Sequence, residues 1–185
     1  MEKIRSCMIF FIAVLLLLFC STTAALADSS LFGKHRGTVV NNIDPLGMGR
    51  IIAAVPEVFG TAVTDWALPA FPFAGLNHGL ILVPNVGDGV WIEFEQGDPD
   101  YPIWTGSWLS VGDAPIPNLE TTRVLATNRG HKILIDDAVG RVVFVHGSGP
   151  EMVMTAQDIT LKVGSTTLAI TADGVYINKK LIKTK

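Results

Sequence analysis

Residues 84 to 108 read Pro84-Asn-Val-Gly-Asp-Gly-Val-Trp-Ile-Glu-Phe-Glu-Gln-Gly-Asp-Pro-Asp-Tyr-Pro-Ile-Trp-Thr-Gly-Ser-Trp108, and the pattern of this stretch predicts a β-hairpin. Apolar and polar residues alternate with the period of two that a half-buried strand shows, which places Val90, Ile92 and Phe94 on one face. Trp91, Glu93 and Glu95 fall on the other face. Glycine, aspartate and proline mark both ends as turns, and a second strand follows over residues 103–108.

The flanking sequence predicts further short strands. We expect a first strand over 34–42, a second over 47–56 that ends at a proline, and a third over 79–84. The third is apolar on both faces and is predicted to lie centrally in the sheet. Residues 66–75 are too rich in proline for a helix and are predicted to form a loop. About five strands in 80 residues, with large aromatic rings to fill the corners, indicate a small Greek-key barrel over residues 28–110.

Composition sets limits on function. The chain has 185 residues, of which 17% are charged, and its ten prolines and eighteen glycines favour short strands and turns over long helices. The net charge is −3, and it falls to −4 without residues 1–27, since Lys3 and Arg5 outweigh Glu2 there. No basic face is evident, so nucleic acid is not an expected partner.

Residues 1–27 resemble a secretory signal peptide. A short polar head precedes an apolar run from Cys7 to Cys20, and small residues before Asp28 fit a cleavage site. An uncleaved anchor, or an apolar helix used in assembly, is the alternative. Both cysteines lie in this segment, so a cleaved chain would hold no disulfide and no thiolate metal site.

Residues 111–120 are predicted to be a linker, and residues 121–185 a separate β region. Short apolar pairs recur there between glycine-marked turns, with polar residues facing out. A segment of this size with one apolar face buries too little surface to close a core alone. Three copies winding about one axis would bury those faces and pair the strand edges. We therefore predict a homotrimer whose interior consists of Ile159, Leu161, Val163, Leu168, Ile170, Val175 and Ile177.

The hairpin also carries a family resemblance. Its spacing of Gly-Asp, Val-Trp-Ile, Gly-Asp-Pro-Asp and Ile-Trp-x-Gly-x-Trp resembles the OB-fold domain of contractile-tail spike proteins: phage baseplate assembly protein V, the phage central spike and the VgrG spike of type VI secretion. Residues 128–137 resemble the opening of that family's trimeric needle. The resemblance assigns a structural role in the barrel to Gly87, Asp88, Trp91, Phe94, Gly97, Asp98, Pro99, Trp104, Gly106 and Trp108.

The resemblance implies an all-β protein with an N-terminal OB-fold, a five-stranded Greek-key barrel, followed by a short trimeric β-prism or β-helix. It implies a structural protein rather than an enzyme. We predict no cofactor, and no metal site either, because the chain lacks the His-x-His pair through which some spikes of the family hold iron. The expected partners are two further copies, a tail-hub protein at the tube end, a PAAR-like tip protein and the target cell envelope. The expected location is a virion tail baseplate or a contractile injection particle.

Particular residues suggest four other functions. An exported OB-fold module that binds envelope glycan or protein would use Trp91 as a stacking platform and would explain a signal peptide. A His131 or His146 ligand on a three-fold axis could begin a metal site. A hydrolase triad would draw on His131, His146, Asp136, Asp137 and Ser148, but no nucleophile-elbow motif accompanies them. A glycosidase pair would draw on Asp88, Glu93, Glu95, Asp98 and Asp100, which are instead typical of turns and solvated edges.

Overall fold

The computed structural model describes residues 30–117 and 119–182, and the chain in these ranges is mostly β-structure. The predicted signal segment, residues 1–27, lies outside them. The described chain forms two compact units that divide between Trp108 and Leu109. This boundary lies two residues before the predicted linker, residues 111–120.

Over residues 30–108 the first unit contains seven strands and one short helix. The strands are β1 (His35–Asn41), β2 (Ile52–Ala54), β3 (Leu68–Pro69), β4 (Ala74–Gly75), β5 (His78–Gly79), β6 (Gly89–Phe94) and β7 (Pro102–Ser107). The helix α1 (Pro56–Phe59) follows β2, and a 3₁₀ turn over Glu95–Gly97 joins β6 to β7.

Five of these strands form one sheet in the order β2-β1-β6-β7-β3. All neighbours are antiparallel except β3 and β7, which are parallel. Ile51 and Ala67 exchange backbone hydrogen bonds of 3.2 and 2.8 Å, which join the β2 edge to the β3 edge. The sheet thereby curls around an apolar core that comprises Val39, Ile51, Ala53, Val55, Ala67, Val90, Ile92, Phe94 and Trp104.

The prediction of a central strand over residues 79–84 is wrong. Beyond Gly79 this segment is not a strand, and Leu80, Ile81 and Leu82 are 42 to 52% exposed. The sheet's fifth position belongs instead to β3, inside the segment predicted as a proline-rich loop. Pro69 is tolerated there because β3 is an edge strand, where a missing N–H costs no ladder hydrogen bond. The next residue, Ala70, donates its N–H to the Trp104 carbonyl at 2.9 Å.

The second unit is one antiparallel sheet of eight strands in which each strand pairs with its neighbours along the chain. The strands are β8 (Thr122–Ala126), β9 (Lys132–Asp136), β10 (Arg141–Val145), β11 (Glu151–Met154), β12 (Asp158–Val163), β13 (Thr166–Thr171), β14 (Gly174–Ile177) and β15 (Lys180–Ile182). The predicted short strands are therefore confirmed. The last described strand, β15, pairs with β14 although a lysine-rich sequence surrounds it.

Candidate functional site

The β6–β7 hairpin has the predicted alternation. Val90 and Ile92 are fully buried and Phe94 is 6% exposed, whereas Trp91 and Glu93 lie half-buried on the opposite face. Glu95 is not a strand residue, because the 3₁₀ turn begins there. The ten residues that carry the family resemblance thus lie in one hairpin and its two turns, and one face of the hairpin strand β6 lies in the core.

The aspartates and glycines of the hairpin shape its turns. Asp88 accepts the Asn85 N–H at 2.7 Å before β6, and Asp98 accepts the Asp100 N–H at 3.0 Å around the exposed Pro99. Gly97 has a φ of +81°, and a Cβ there would lie 2.9 Å from the Ser30 Cβ. Glycine is therefore required at position 97 by backbone conformation and by space.

Two further glycines serve the same hairpin. The Gly87 N–H donates to the Val39 carbonyl at 2.9 Å and so ties the entry turn to β1. Gly106, with a φ of +138°, lies where the pairing of β6 and β7 shifts register. A bulge of this kind bends the strand locally.

The three hairpin tryptophans have different surroundings. Trp104 is 5% exposed in the core, and its ring N–H donates to the Gly49 carbonyl at 3.1 Å. Trp108 donates to the Val90 carbonyl at 3.1 Å. The Arg36 guanidinium lies 5.6 Å from the Trp91 ring centroid and 5.2 Å from that of Trp108. Trp91 is thus engaged by a cation of its own barrel.

The loop after β1 contains a charged pair that sequence reasoning missed. The Asp44 side chain is 3% exposed and accepts two hydrogen bonds from the Arg50 guanidinium, at 2.6 and 3.1 Å. It also accepts the backbone N–H groups of Leu46, Met48 and Arg50. The Arg50 hydrogen bond holds the pKa of the Asp44 carboxyl well below its usual range, against the opposing effect of burial, and raises the pKa of Arg50. Asp44 therefore organises the loop that leads into β2.

One face of the second unit is apolar along its whole length. Cross-strand pairing aligns fourteen apolar side chains in two rows, each with one residue from seven strands. The first row is Ile135, Val142, Met154, Ile159, Ile170, Val175 and Ile182. The second row is Leu125, Ile133, Phe144, Met152, Leu161, Leu168 and Ile177. We call these two rows the apolar face.

The apolar face is uncovered within a single chain. Eleven of its fourteen side chains are 37 to 46% exposed, together on the order of 900 Å², which exceeds the largest apolar patch of a typical monomer. The Arg141–Asp136 and Lys162–Glu151 ion pairs, at 3.3 and 3.1 Å, lie on the opposite face. Six predicted interior residues belong to the two rows, and Val163 continues the same strand face. The residues predicted to line an interior are thus brought together on one surface.

His131 and His146 lie at one end of this apolar face. Their ring centroids are 4.5 Å apart, and each Nδ1 accepts a backbone N–H, from Gly147 at 3.2 Å and from Ser148 at 3.3 Å. The Nδ1 atom of each ring is thereby engaged by the backbone of the Gly147-Ser148 turn. Within residues 30–117 and 119–182 no three His, Cys, Asp or Glu side chains gather in a metal-binding group.

The arrangement of these residues does not support a hydrolase triad. The Ser148 hydroxyl lies 2.8 Å from His146 Nδ1, but Asp136 and Asp137 are at the far end of β9 from His131. Asp136 is paired with Arg141, and Asp137 lies 3.8 Å from Arg123. Neither of these two aspartates is placed to orient His131 or His146 as the triad requires.

Comparison with known proteins agrees with the family resemblance of the hairpin sequence. Residues 35–109 match the family of the type VI secretion system/phage-baseplate injector OB domain. Over these residues the first unit is similar to the injector OB domain of that family. The resemblance to VgrG-like baseplate spikes, first based on the hairpin, is confirmed over this domain.

Curated relatives give the same result over a limited length. The chain is 37% identical over 65 residues to the actin cross-linking toxin VgrG1 of Vibrio cholerae, and 38% identical over 65 residues to the type VI secretion system spike protein VgrG3 of the same species. It is 28% identical over 87 residues to the spike protein VgrG2a of Pseudomonas aeruginosa. These alignments cover 34, 34 and 43% of this chain.

The chain spans only 6 to 10% of the length of these relatives. What it shares with them is the OB domain of a structural spike family, and the match to the toxin VgrG1 does not extend beyond that domain. Among the described residues, no helix is long and apolar enough to cross a membrane.

Proposed function

We propose that this protein is the central spike of a phage tail or another contractile injection particle, and that it acts as a homotrimer. Residues 28–110 form the injector barrel, 111–120 the linker and 121–185 the needle. The observation that carries the proposal is the apolar face, which follows an injector OB domain in the same chain. A sheet with this much uncovered apolar area is stable in water only when another surface covers it.

Three copies of the sheet satisfy this requirement. Around a three-fold axis each apolar face meets the faces of the other two copies, while the ion pairs of the opposite face stay in water. The seven residues from Ile159 to Ile177 predicted for the interior then form a continuous dry core. Strands β8 and β15, the two edges of the single-chain sheet, come within reach of neighbouring copies.

The proposed action is mechanical and needs no catalysis. The barrels dock on the tail-hub protein at the tube end, and the needle transmits the thrust of contraction to the target envelope. An intertwined trimer suits this task, because the needle's backbone and side-chain contacts must break together before it unfolds. A separate PAAR-like protein would provide the tip.

The alternative role, an exported module that binds envelope glycan or protein, would need an available aromatic platform. The Arg36 guanidinium between Trp91 and Trp108 occupies that place in the barrel. This contact favours the spike role.

The deciding experiment is the molar mass of the protein and of two matched variants by light scattering, with unboiled SDS electrophoresis as a second readout. Ile170→Asp places a carboxylate on the apolar face, at a cost of several kcal/mol per copy when buried unpaired. Ala172→Asp places the same charge in the adjacent exposed turn. We expect wild type and Ala172→Asp to be SDS-resistant trimers and Ile170→Asp to be monomeric or aggregated. A folded wild-type monomer would refute the spike proposal.

A further inference from the structure

The barrel carries a second uncovered apolar surface, on the segment between β3 and β6. Residues 70–75 and 78–83 fold back on each other as two adjacent lengths of chain, joined through β4 and β5. The Leu80 N–H donates to the Phe73 carbonyl at 3.1 Å. We call residues 70–83 the apolar arm.

The base of the apolar arm is anchored in the barrel. The Phe71 ring meets the Trp104 ring edge-on, with centroids 5.5 Å apart, and Phe71 and Val83 both pack against the buried core. Both side chains also approach Gly49, where a Cβ would lie 2.8 Å from Phe71 and 3.3 Å from Val83. The first and last parts of the arm, at Phe71 and Val83, are therefore both held against the sheet.

The outer part of the arm is exposed. Leu76 at the tip is 88% exposed, Phe73 57%, and Leu80, Ile81 and Leu82 between 42 and 52%. Together these side chains expose on the order of 500 Å², as much as the largest, often functional patch of a typical monomer. A contact that covers them buries about 1,000 Å² when both partners are counted, which reaches the range of specific interfaces.

Charge distinguishes the arm from the rest of the barrel. The 22 residues from Trp66 to Gly87 contain no Asp, Glu, Lys or Arg. Over residues 30–108 the remaining sequence contains eight carboxylates and three Lys or Arg side chains, so the barrel is strongly acidic. Two copies of an acidic barrel repel each other wherever their charged surfaces meet. The arm offers a surface through which identical barrels can meet without that repulsion.

We propose that the apolar arm of one barrel contacts the barrel of a second copy of this chain. The inference rests on the proposed trimer and adds a contact between barrels to the one between needle sheets. Surfaces that are largely apolar and carry no charged side chain are typical of permanent subunit interfaces, which are more hydrophobic than transient ones. The acidic hairpin around Glu95 and Asp98 remains outside this contact.

Cysteine accessibility in the full chain tests the proposal, with Cys7→Ser and Cys20→Ser as background. Leu76→Cys reports on the arm, and Val111→Cys, at a residue fully exposed in one chain, is the control. We expect the maleimide rate at position 76 to be at least about tenfold lower than at 111 in the trimer. Adding Ile81→Glu should raise the rate at position 76 to the control value, because a buried carboxylate opens the contact.

Light scattering on the same samples separates the two proposals. A trimer in which positions 76 and 111 react equally fast overturns the arm contact and leaves the spike proposal standing. That result is also expected if the arm serves a hub protein, which would protect it only in the assembled particle. A monomer in which both positions react equally fast overturns both proposals. A trimer in which protection at position 76 survives Ile81→Glu also overturns the arm contact.

Discussion

Gly89→Ala is expected to destabilise the barrel through a single neighbour, Trp108. A Cβ at position 89 would lie 2.6 Å from the Trp108 ring, closer than any carbon contact allows, so the ring must move. Moving it breaks the 3.1 Å hydrogen bond to the Val90 carbonyl, worth about 1 kcal/mol, and weakens the Arg36 contact, worth about 0.5 to 1 kcal/mol. These two losses total about 1.5 to 2 kcal/mol, and the intrinsic preference of a strand for alanine over glycine offsets about 0.5 kcal/mol, so the expected net cost is about 1 to 1.5 kcal/mol.

A double-mutant cycle isolates this effect. Gly89 is not among the residues with positive φ, so alanine fits its backbone and, without the clash, would stabilise the strand by about 0.5 kcal/mol. In a Trp108→Ala background, Gly89→Ala should therefore become neutral or stabilising. The sign of its effect should reverse.

The assay is denaturant unfolding followed by tryptophan fluorescence. All four tryptophans lie in the first unit, so the signal reports on the barrel and not on the sheet of the second unit. The same net cost of about 1 to 1.5 kcal/mol in the Trp108→Ala background, that is, additive effects, would show that the ring contact is not the cause.

Three further predictions use the same unfolding assay. Ile92→Ala removes a fully buried side chain and should cost about 2 to 5 kcal/mol; a cost below 1 kcal/mol would contradict the described core. Gly97→Ala should cost more than Gly33→Ala, because both have left-handed φ but only position 97 has atoms within 3 Å of an added Cβ; equal costs would assign the whole effect to backbone strain. Asp44 has a lowered pKa in the folded state, so its stabilisation is complete above its unfolded pKa of about 3.9 and is lost as pH falls below that value. Asp44→Asn should lower stability at neutral pH and flatten its decline between about pH 4 and 2, and parallel pH curves would argue against this role.

The β6–β7 hairpin could be predicted because alternation, turn residues and tryptophan spacing all agree there. The structure of residues 79–84 could not be predicted, because a run of apolar residues indicates only that burying it from water is favourable. It does not show whether the cover comes from the same chain or from another. The Leu80, Ile81 and Leu82 side chains are exposed in a single chain. A sequence rule that assigns apolar runs to buried strands therefore predicts them wrongly as core residues.

Other features depend on contacts between distant parts of the chain. Strand β3 has two residues, one of them proline, and exists because β7 offers it a partner. The Asp44-Pro45 pair predicts a break, but the approach of Arg50 depends on how the loop folds back. In the second unit the apolar face follows directly from the alternation of apolar and polar residues. Strand β15 does not follow from it, because lysines interrupt the alternation there.

The sheet of the second unit has a consequence for folding kinetics. Each of its eight strands pairs only with its neighbours in the sequence, so the contacts of the sheet are local. No long loop has to close before these contacts can form. Forming the sheet within one chain should therefore be fast. If the apolar face is buried by other copies, the slow step is the encounter of chains, and the yield of the folded protein should depend on concentration during synthesis. Chains translated from one messenger, held close together, would then have an advantage over chains that meet by diffusion.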